Sequence, residues 1–382
     1  MYTFSSPRPR IPVRSSVLGI AVCLALASAA PATAQPTPST SPFLALPKYS
    51  GGGSTSQLLY FDLAGGSGWL ADSLRSGNEI RTSRLEENLF GIIGRPADQP
   101  AFAGEIFLMP IRDSGGATRS ALFVESSTGY VAYLEDLGRR DKIGKVTTAI
   151  GRPFGPLAAM DGNFALLEQR DSTGRTQGAY LYAASKGEGL YISGLQDFDG
   201  EPSMVQVPGL PQLAGPVDSV TLAYEEESRA YAILDGGAAK VSFLDATGNV
   251  GRLAVRQGEV DLGTAFAAES RAPALRRFVA VPLQDGNDTT QAVWILDVAS
   301  GGIGLLQGLF TAEPRVTPMP QNLYGQIRPS ESPRLFTAVP HGDSGGATRG
   351  IWLFDNLRGV YYVERPGSPD DLRIFPVQID RR

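Results

Sequence analysis

Short apolar runs, four to eight residues long and rich in β-branched and aromatic side chains, follow one another along most of this chain, separated by clusters of Gly, Asp, Ser and Asn. Runs of that length between such turn formers predict β-strands. Most are continuous and not alternating, as in Val293-Trp-Ile-Leu296 and Ile351-Trp-Leu-Phe354. Unbroken apolar strands belong to sheets covered on both faces.

The runs repeat. Asp113-Ser-Gly-Gly-Ala-Thr-Arg119 recurs letter for letter at Asp343–Arg349, with looser copies at Asp171–Thr176 and Asp285–Thr290, and the four aspartates are 58, 114 and 58 residues apart. Their flanks repeat too: an apolar strand before each loop (Ile106–Ile111, Phe164–Leu167, Phe278–Leu283, Leu335–Pro340) and a second strand, turn and third strand after it. Trp294 and Trp352 fall 58 apart at matching places, where blade core is the expected role. A shortened copy reads Ala230–Leu234, the hairpin Asp235-Gly236-Gly237, then Val241–Asp245, and the first copy runs from Phe43–Pro47 through Ser50–Ser54 to Leu58–Asp62. With a fourth strand at places such as Lys145–Ile150, Met204–Val207 and Arg373–Val377, the chain predicts an all-β, six-bladed β-propeller of about 58-residue repeats, four strands per blade, over residues 43–382.

A β-sandwich pair or an open solenoid fits six near-equal four-strand units less well, and closing a ring removes the sheet edges that a long all-β chain must protect. In an inner-to-outer blade order, the C-terminal strand Leu372–Ile379 is expected to join the blade begun by Phe43–Pro47. The turns Asp245-Ala-Thr247-Gly248 and Asp297-Val-Ala-Ser-Gly301 make the chain resemble the large superfamily of bacterial secreted propellers whose strands end in Asp-x-x-[Ser/Thr]-Gly. That resemblance covers the region after the N-terminus and implies the fold; the propellers concerned serve many functions.

The N-terminus reads as a signal peptide over residues 1–34: Arg8, Arg10 and Arg14, an apolar stretch from Val17 to Ala29, and an Ala32-Thr33-Ala34 cleavage site. Residues 35–42 read as a flexible spacer. Removal of the signal, with three arginines and no acidic residue, takes the formal charge from −5 to −8. An acidic chain argues against a nucleic-acid partner. The sole cysteine, Cys23, leaves with the signal, so an exported protein with no stable membrane anchor and no disulfide is expected, in the periplasm or outside the cell.

Little catalytic chemistry fits the inventory. His341-Gly-Asp-Ser344-Gly-Gly looks like the surroundings of a serine-protease nucleophile, but His341 is the only histidine and the same Asp-Ser-Gly-Gly stands at Asp113 without one. One histidine and no mature cysteine leave zinc without its preferred ligands. No dinucleotide or phosphate loop opens a helix, and no organic cofactor is indicated. Asp113, Asp171, Asp235, Asp285 and Asp343 are expected on one binding face, one per blade, either as turn formers or as an acidic ring. Asp197, Asp199, Asp285 and Asp288 form the densest oxygen clusters and are the candidate Ca2+ ligands. The inventory favours a binding or scaffolding module for a protein, peptide or glycan; the competing reading is a calcium-dependent, lactonase-like or phytase-like hydrolase with carboxylates meeting in the channel.

Overall fold

The computed structural model describes residues 43–63, 65–72, 79–86, 88–89, 106–125, 130–135, 146–151, 164–195, 203–213, 215–247, 251–266, 277–327, 335–357 and 359–381. The chain divides into Met1–Pro38, outside those residues, and Ser39–Arg382, which contains six sheets. Asp197 and Asp199 lie outside the described residues.

Blade 1 comprises β1 (Phe43–Tyr49), β2 (Thr55–Asp62), β3 (Ser67–Asp72) and β4 (Glu79–Arg84). Blade 2 follows with β5 (Ile106–Arg112), β6 (Thr118–Glu125), β7 (Tyr130–Leu134) and β8 (Val146–Gly151). Blade 3 has β9 (Phe164–Arg170), β10 (Thr176–Ala183), β11 (Glu188–Ser193) and β12 (Ser203–Val207). In blade 4, β13 (Val217–Tyr224), β14 (Glu227–Asp235) and β15 (Lys240–Ala246) are edged by two short pieces, β16 (Leu253–Val255) and β17 (Val260–Asp261). Blade 5 comprises β18 (Phe278–Gln284), β19 (Thr290–Asp297), β20 (Gly302–Gln307) and β21 (Arg315–Asn322). Blade 6 comprises β22 (Phe336–Gly342), β23 (Thr348–Asp355), β24 (Val360–Glu364) and β25 (Arg373–Pro376). Neighbouring strands within each blade pair antiparallel, and the first strand of every blade faces the axis.

The apolar runs explain why the sheets form a ring. Six clusters of buried side chains lie one at each boundary between adjacent blades. The sixth, with Trp352 and Phe354 of blade 6 against Leu58 and Tyr60 of blade 1, closes the circle. Trp294 and Trp352 are both 0% exposed and fill equivalent boundaries, as their shared repeat position predicts. The protein is a six-bladed β-propeller.

A second, polar device runs around the same ring. At each boundary the backbone N–H near the end of an inner strand donates to a Thr or Ser hydroxyl at the start of the next blade's second strand: Tyr49 to Thr118, Arg112 to Thr176, Arg170 to Ser228, Ala223 to Thr290, Gln284 to Thr348 and Gly342 to Thr55, at 2.9–3.1 Å. Four of these residues are the Thr of the repeated loop motif. Thr290→Val keeps the shape of the side chain but leaves the buried Ala223 N–H unsatisfied, which costs about 1–3 kcal/mol. Equilibrium urea unfolding is expected to show that loss, and Thr290→Ser, with its hydroxyl, is expected to recover most of it.

Two expectations need correction. The C-terminal segment does not enter blade 1 as one strand: β25 completes blade 6, and only β26 (Gln378–Arg381) crosses over, pairing parallel with β4 as a fifth, outermost strand. The phase of blade 4 also shifts by one strand. Ala230–Leu234 belongs to the second strand, β14, and Val241–Asp245 to the third, β15, with Val217–Tyr224 as the inner strand. The cause is a different first hairpin. Blade 4 replaces the glycine-rich loop with a two-residue turn, Glu225-Glu226, whose φ values of 49° and 70° match the type I′ turn normally built from Asn and Gly. Asp245 accordingly lies on a third strand and binds Arg256, whereas Asp297 ends a second strand and caps its turn through Ala299 N–H and Ser300.

Candidate functional site

Because six inner strands run side by side, equivalent positions form layers around an axial channel. The first layer is Phe43, Ile106, Phe164, Val217, Phe278 and Phe336. The third, the waist, is Ala45, Leu108, Leu166, Ser219, Ala280 and Ala338. The fifth is Pro47, Pro110, Glu168, Thr221, Pro282 and Pro340. Proline lacks the N–H that a central strand must donate and is tolerated on an edge; four prolines in one layer mark the inner strands as edges and blunt them against further pairing.

Two cavities, of about 350 and 280 Å³, share Leu108, Ser219, Ala280 and Ala338 and extend toward opposite ends. We call the end at the first layer the base and the end at the repeated Asp loops the crown. The side chains of the waist layer carry no charge. Beside them Asp218 lines both cavities, and its carboxylate accepts from its neighbour Ser219 N–H at 2.8 Å and from Ala280 N–H of blade 5 at 2.7 Å, so it fastens one blade to the next.

The crown end carries charge. Arg112 and Arg170 occupy the seventh position of blades 2 and 3, and Glu168 takes the place of the layer's proline. Arg112 lies 3.7 Å from Glu168 and 3.6 Å from Asp288; Arg170 lies 3.7 Å from Glu168 and 3.3 Å from Asp288. None of the four side chains is more than 11% exposed. Thr176 donates to Glu168 at 2.7 Å, and the Arg112 guanidinium covers the Tyr49 ring at 3.9 Å from its centroid. Burial, partly opposed by that guanidinium, pushes the Tyr49 phenol above its ordinary value.

Asp288 reaches this cluster from an unusual backbone. It occupies the fourth place of the Asp loop, where the sibling loops have Gly116, Gly174 and Gly346 at φ 74°, 73° and 85°; Asp288 itself has φ 54°. A non-glycine residue is strained there. The substitution places a carboxylate from blade 5 between arginines of blades 2 and 3.

The loop aspartates are occupied by their own turns. Asp113, Asp171, Asp285 and Asp343 each accept two backbone N–H bonds through Oδ1, from residues two and four positions on. In the first three, Oδ2 accepts from the side chain six positions on: Arg119, Gln177 and Gln291. Burial works to raise Asp113 and Asp171, but these hydrogen bonds outweigh it and hold both carboxyls below the ordinary range. The loops also touch one another, as where Gly52 N–H donates to Gly115 O at 3.0 Å. Asp235 does not share their face: it ends β14 beside Val217 at the base and caps its turn through Gly237 and Ala238 N–H. The expected single face of five aspartates is therefore four at the crown and one at the opposite end. Asp285 and Asp288 take different roles, one in the turn and one in the ion cluster. Among the described residues no three His, Cys, Asp or Glu side chains converge to hold a metal.

His341 is sealed in blade 6, 7% exposed, with Nδ1 2.8 Å from the Tyr362 hydroxyl and its ring against Trp352. Burial, with the Arg349 charge adding and Asp343 opposing, lowers its pKa to about 4. It is a neutral core residue beside a turn, engaged with Tyr362 and Trp352.

Sequence reasoning missed the ion cluster. A signal existed in the spacing: Arg112 and Arg170 are 58 residues apart and each stands directly before a loop aspartate.

No protein-family model and no curated protein matches this chain. Among solved structures it is similar to a candidate 6-phosphogluconolactonase from Bacteroides uniformis, at 11% identity and TM-score 0.47, covering 91% of this chain and 88% of that one. The periplasmic gluconolactonase of Pseudomonas aeruginosa aligns at 12% identity and TM-score 0.46, over 85% and 84% of the two chains. The β-propeller domain of Myceliophteria thermophila Cps50 (Swd1) aligns at 11% and 0.40, over 71% of each. The architecture rests on the strand pairing of this chain itself, and no activity is transferred from these neighbours.

Proposed function

We propose that this propeller is an exported binding module whose ligand, the end of a peptide, glycan or other slender chain, enters the axial channel. The observation that carries the reading is the channel wall: a waist of Ala, Leu and Ser, with Asp218 already fastened to backbone and Glu168 and Asp288 already matched by two arginines. A concave tube whose wall mixes apolar side chains with placed polar groups suits a slender ligand.

The test compares wild type with Ala280→Phe/Ala338→Phe, two waist substitutions that fill the tube, on defined peptide and glycan arrays. Ligands of the channel are expected to lose at least tenfold in affinity in the filled variant while its circular dichroism stays native. Binding that is indifferent to the filling would place recognition on the outer surface and sink the reading.

A further inference from the structure

The channel finishes differently at its two ends. At the base the larger cavity runs past the first layer to Leu63, Pro216, Val298 and Leu335, which flank strand ends there. At the crown the smaller cavity stops at Tyr49, Arg112, Glu168 and Arg170, and no residue of the six loops between first and second strands lines it.

What stops it is a plug in two layers. Blades 2 and 5 stand opposite each other in a ring of six, so the 3.6 Å between Arg112 Nη1 and Asp288 Oδ2 spans the axis and closes the bore. Arg170 and Glu168 fill the side of blade 3, at 3.3 Å from Asp288 and 3.7 Å from Arg112 respectively. None of the four side chains is more than 11% exposed, as a plug requires. Behind this layer lies the glycine loop of blade 1, Ser50–Ser54. A Cβ on Gly53 would stand 2.9 Å from Asp288 Oδ1, and one on Gly346 would stand 2.5 Å from Gly52 O, closer than real Cβ atoms come. The loop is thus seated on the cluster and on blade 6, and the Gly52 bond to Gly115 ties it to blade 2.

We infer that the channel is a blind bore: its ligand enters at the base, and Arg112, Arg170, Glu168 and Asp288 form the stop that limits how far it runs. A chain cannot thread such a ring; it must present an end. From the first layer to the fifth the inner strands advance four residues, about 13 Å, and that depth sets the length of ligand the bore takes. The crown face, with its four turn-forming aspartates, has no part in admitting it. The inference rests on the channel reading above and adds the end of entry and the residues that restrict length.

Thiol accessibility tests this without any ligand. In the full chain with Cys23→Ser, which removes the sole native cysteine, Ala338→Cys sets one thiol at the waist, where the two cavities overlap. Its rate of modification by N-ethylmaleimide is expected to fall at least tenfold when Ile106→Trp narrows the base layer, and Val217→Trp is expected to act alike. Arg170→Ala/Asp288→Gly takes one charge of each sign out of the stop. Added to Ile106→Trp, it is expected to restore the rate at least fivefold by opening the crown. Circular dichroism checks each fold, and if the double substitution loses its native spectrum, Asp288→Gly alone is expected to restore the rate at least twofold. A rate indifferent to both base substitutions would place entry elsewhere and overturn the inference. A rate that stays slow with the stop removed and the spectrum native, or a thiol unreactive in every variant, would overturn it as well. The arrays decide the channel reading separately, because they measure binding and not the route.

Discussion

Arg170→Met will cost the fold about 3–5 kcal/mol, the loss usual when one partner of a buried ion pair is removed and its counter-charge is left behind. Arg170 is 2% exposed and is shared by Glu168 and Asp288, so its removal leaves two carboxylates facing Arg112 alone, away from water. Two refinements distinguish this cause from simple loss of packing. Arg170→Met/Asp288→Gly removes the second stranded acid and restores the glycine that the sibling loops use at φ 73–85°, so it is expected to be more stable than Arg170→Met alone. Asp288→Gly by itself is expected to cost less than Arg170→Met, because relief of backbone strain offsets part of the lost pairing. Equilibrium urea unfolding of the three variants tests this; a loss below about 1 kcal/mol for Arg170→Met would mean that water reaches the cluster.

Between pH 7 and pH 4 the protein is expected to lose about 3 kcal/mol of stability through His341 alone, since each unit of pKa difference between folded and unfolded states is worth about 1.4 kcal/mol. The sign follows from proton counting. The unfolded chain takes up a proton near the ordinary 6.5 and the folded one only near 4, because Trp352 and Tyr362 bury the ring and Arg349 repels a second charge. Across that window the unfolded state holds the extra proton, so stability is full above pH 6.5, falls as the pH drops and levels off below about 4. Asp113 and Asp171, held low by their turns, take over only below the ordinary carboxylate value of 3.8. His341→Gln keeps an acceptor for the Tyr362 hydroxyl and cannot titrate; its stability between pH 7 and 4 should be nearly flat. A variant with the same slope as wild type would assign the acid sensitivity elsewhere.

The fold was legible because a propeller writes itself in the sequence repeatedly. Each loop motif contains the Asp that caps its turn and the Thr that fastens the previous blade, and three of the four contain the Gly that takes a left-handed backbone, so one heptapeptide encodes turn, reversal and boundary together. Blade 4 was misphased where that code is missing: Glu225 and Glu226 hold left-handed conformations without the glycine that normally signals them. The cluster at the crown was hidden for a different reason. Its members come from three blades, and two of them are departures from the repeat, Glu168 in the place of a proline and Asp288 in the place of a glycine. Repeat detection rewards the positions that agree, whereas the chemistry sits where copies disagree.

The crossing of β26 to blade 1 also fixes an order of events in synthesis. Blade 1 receives its innermost strand from residues 43–49 and its outermost from residues 378–381. Blade 1 therefore has its own four strands early, by Arg84, whereas its fifth, the parallel partner of β4, can pair only after all of blade 6 has been made. Residues 378–381 thus tie the outer edge of the first blade to the sixth, across the same boundary that Trp352 and Tyr60 fill nearer the axis.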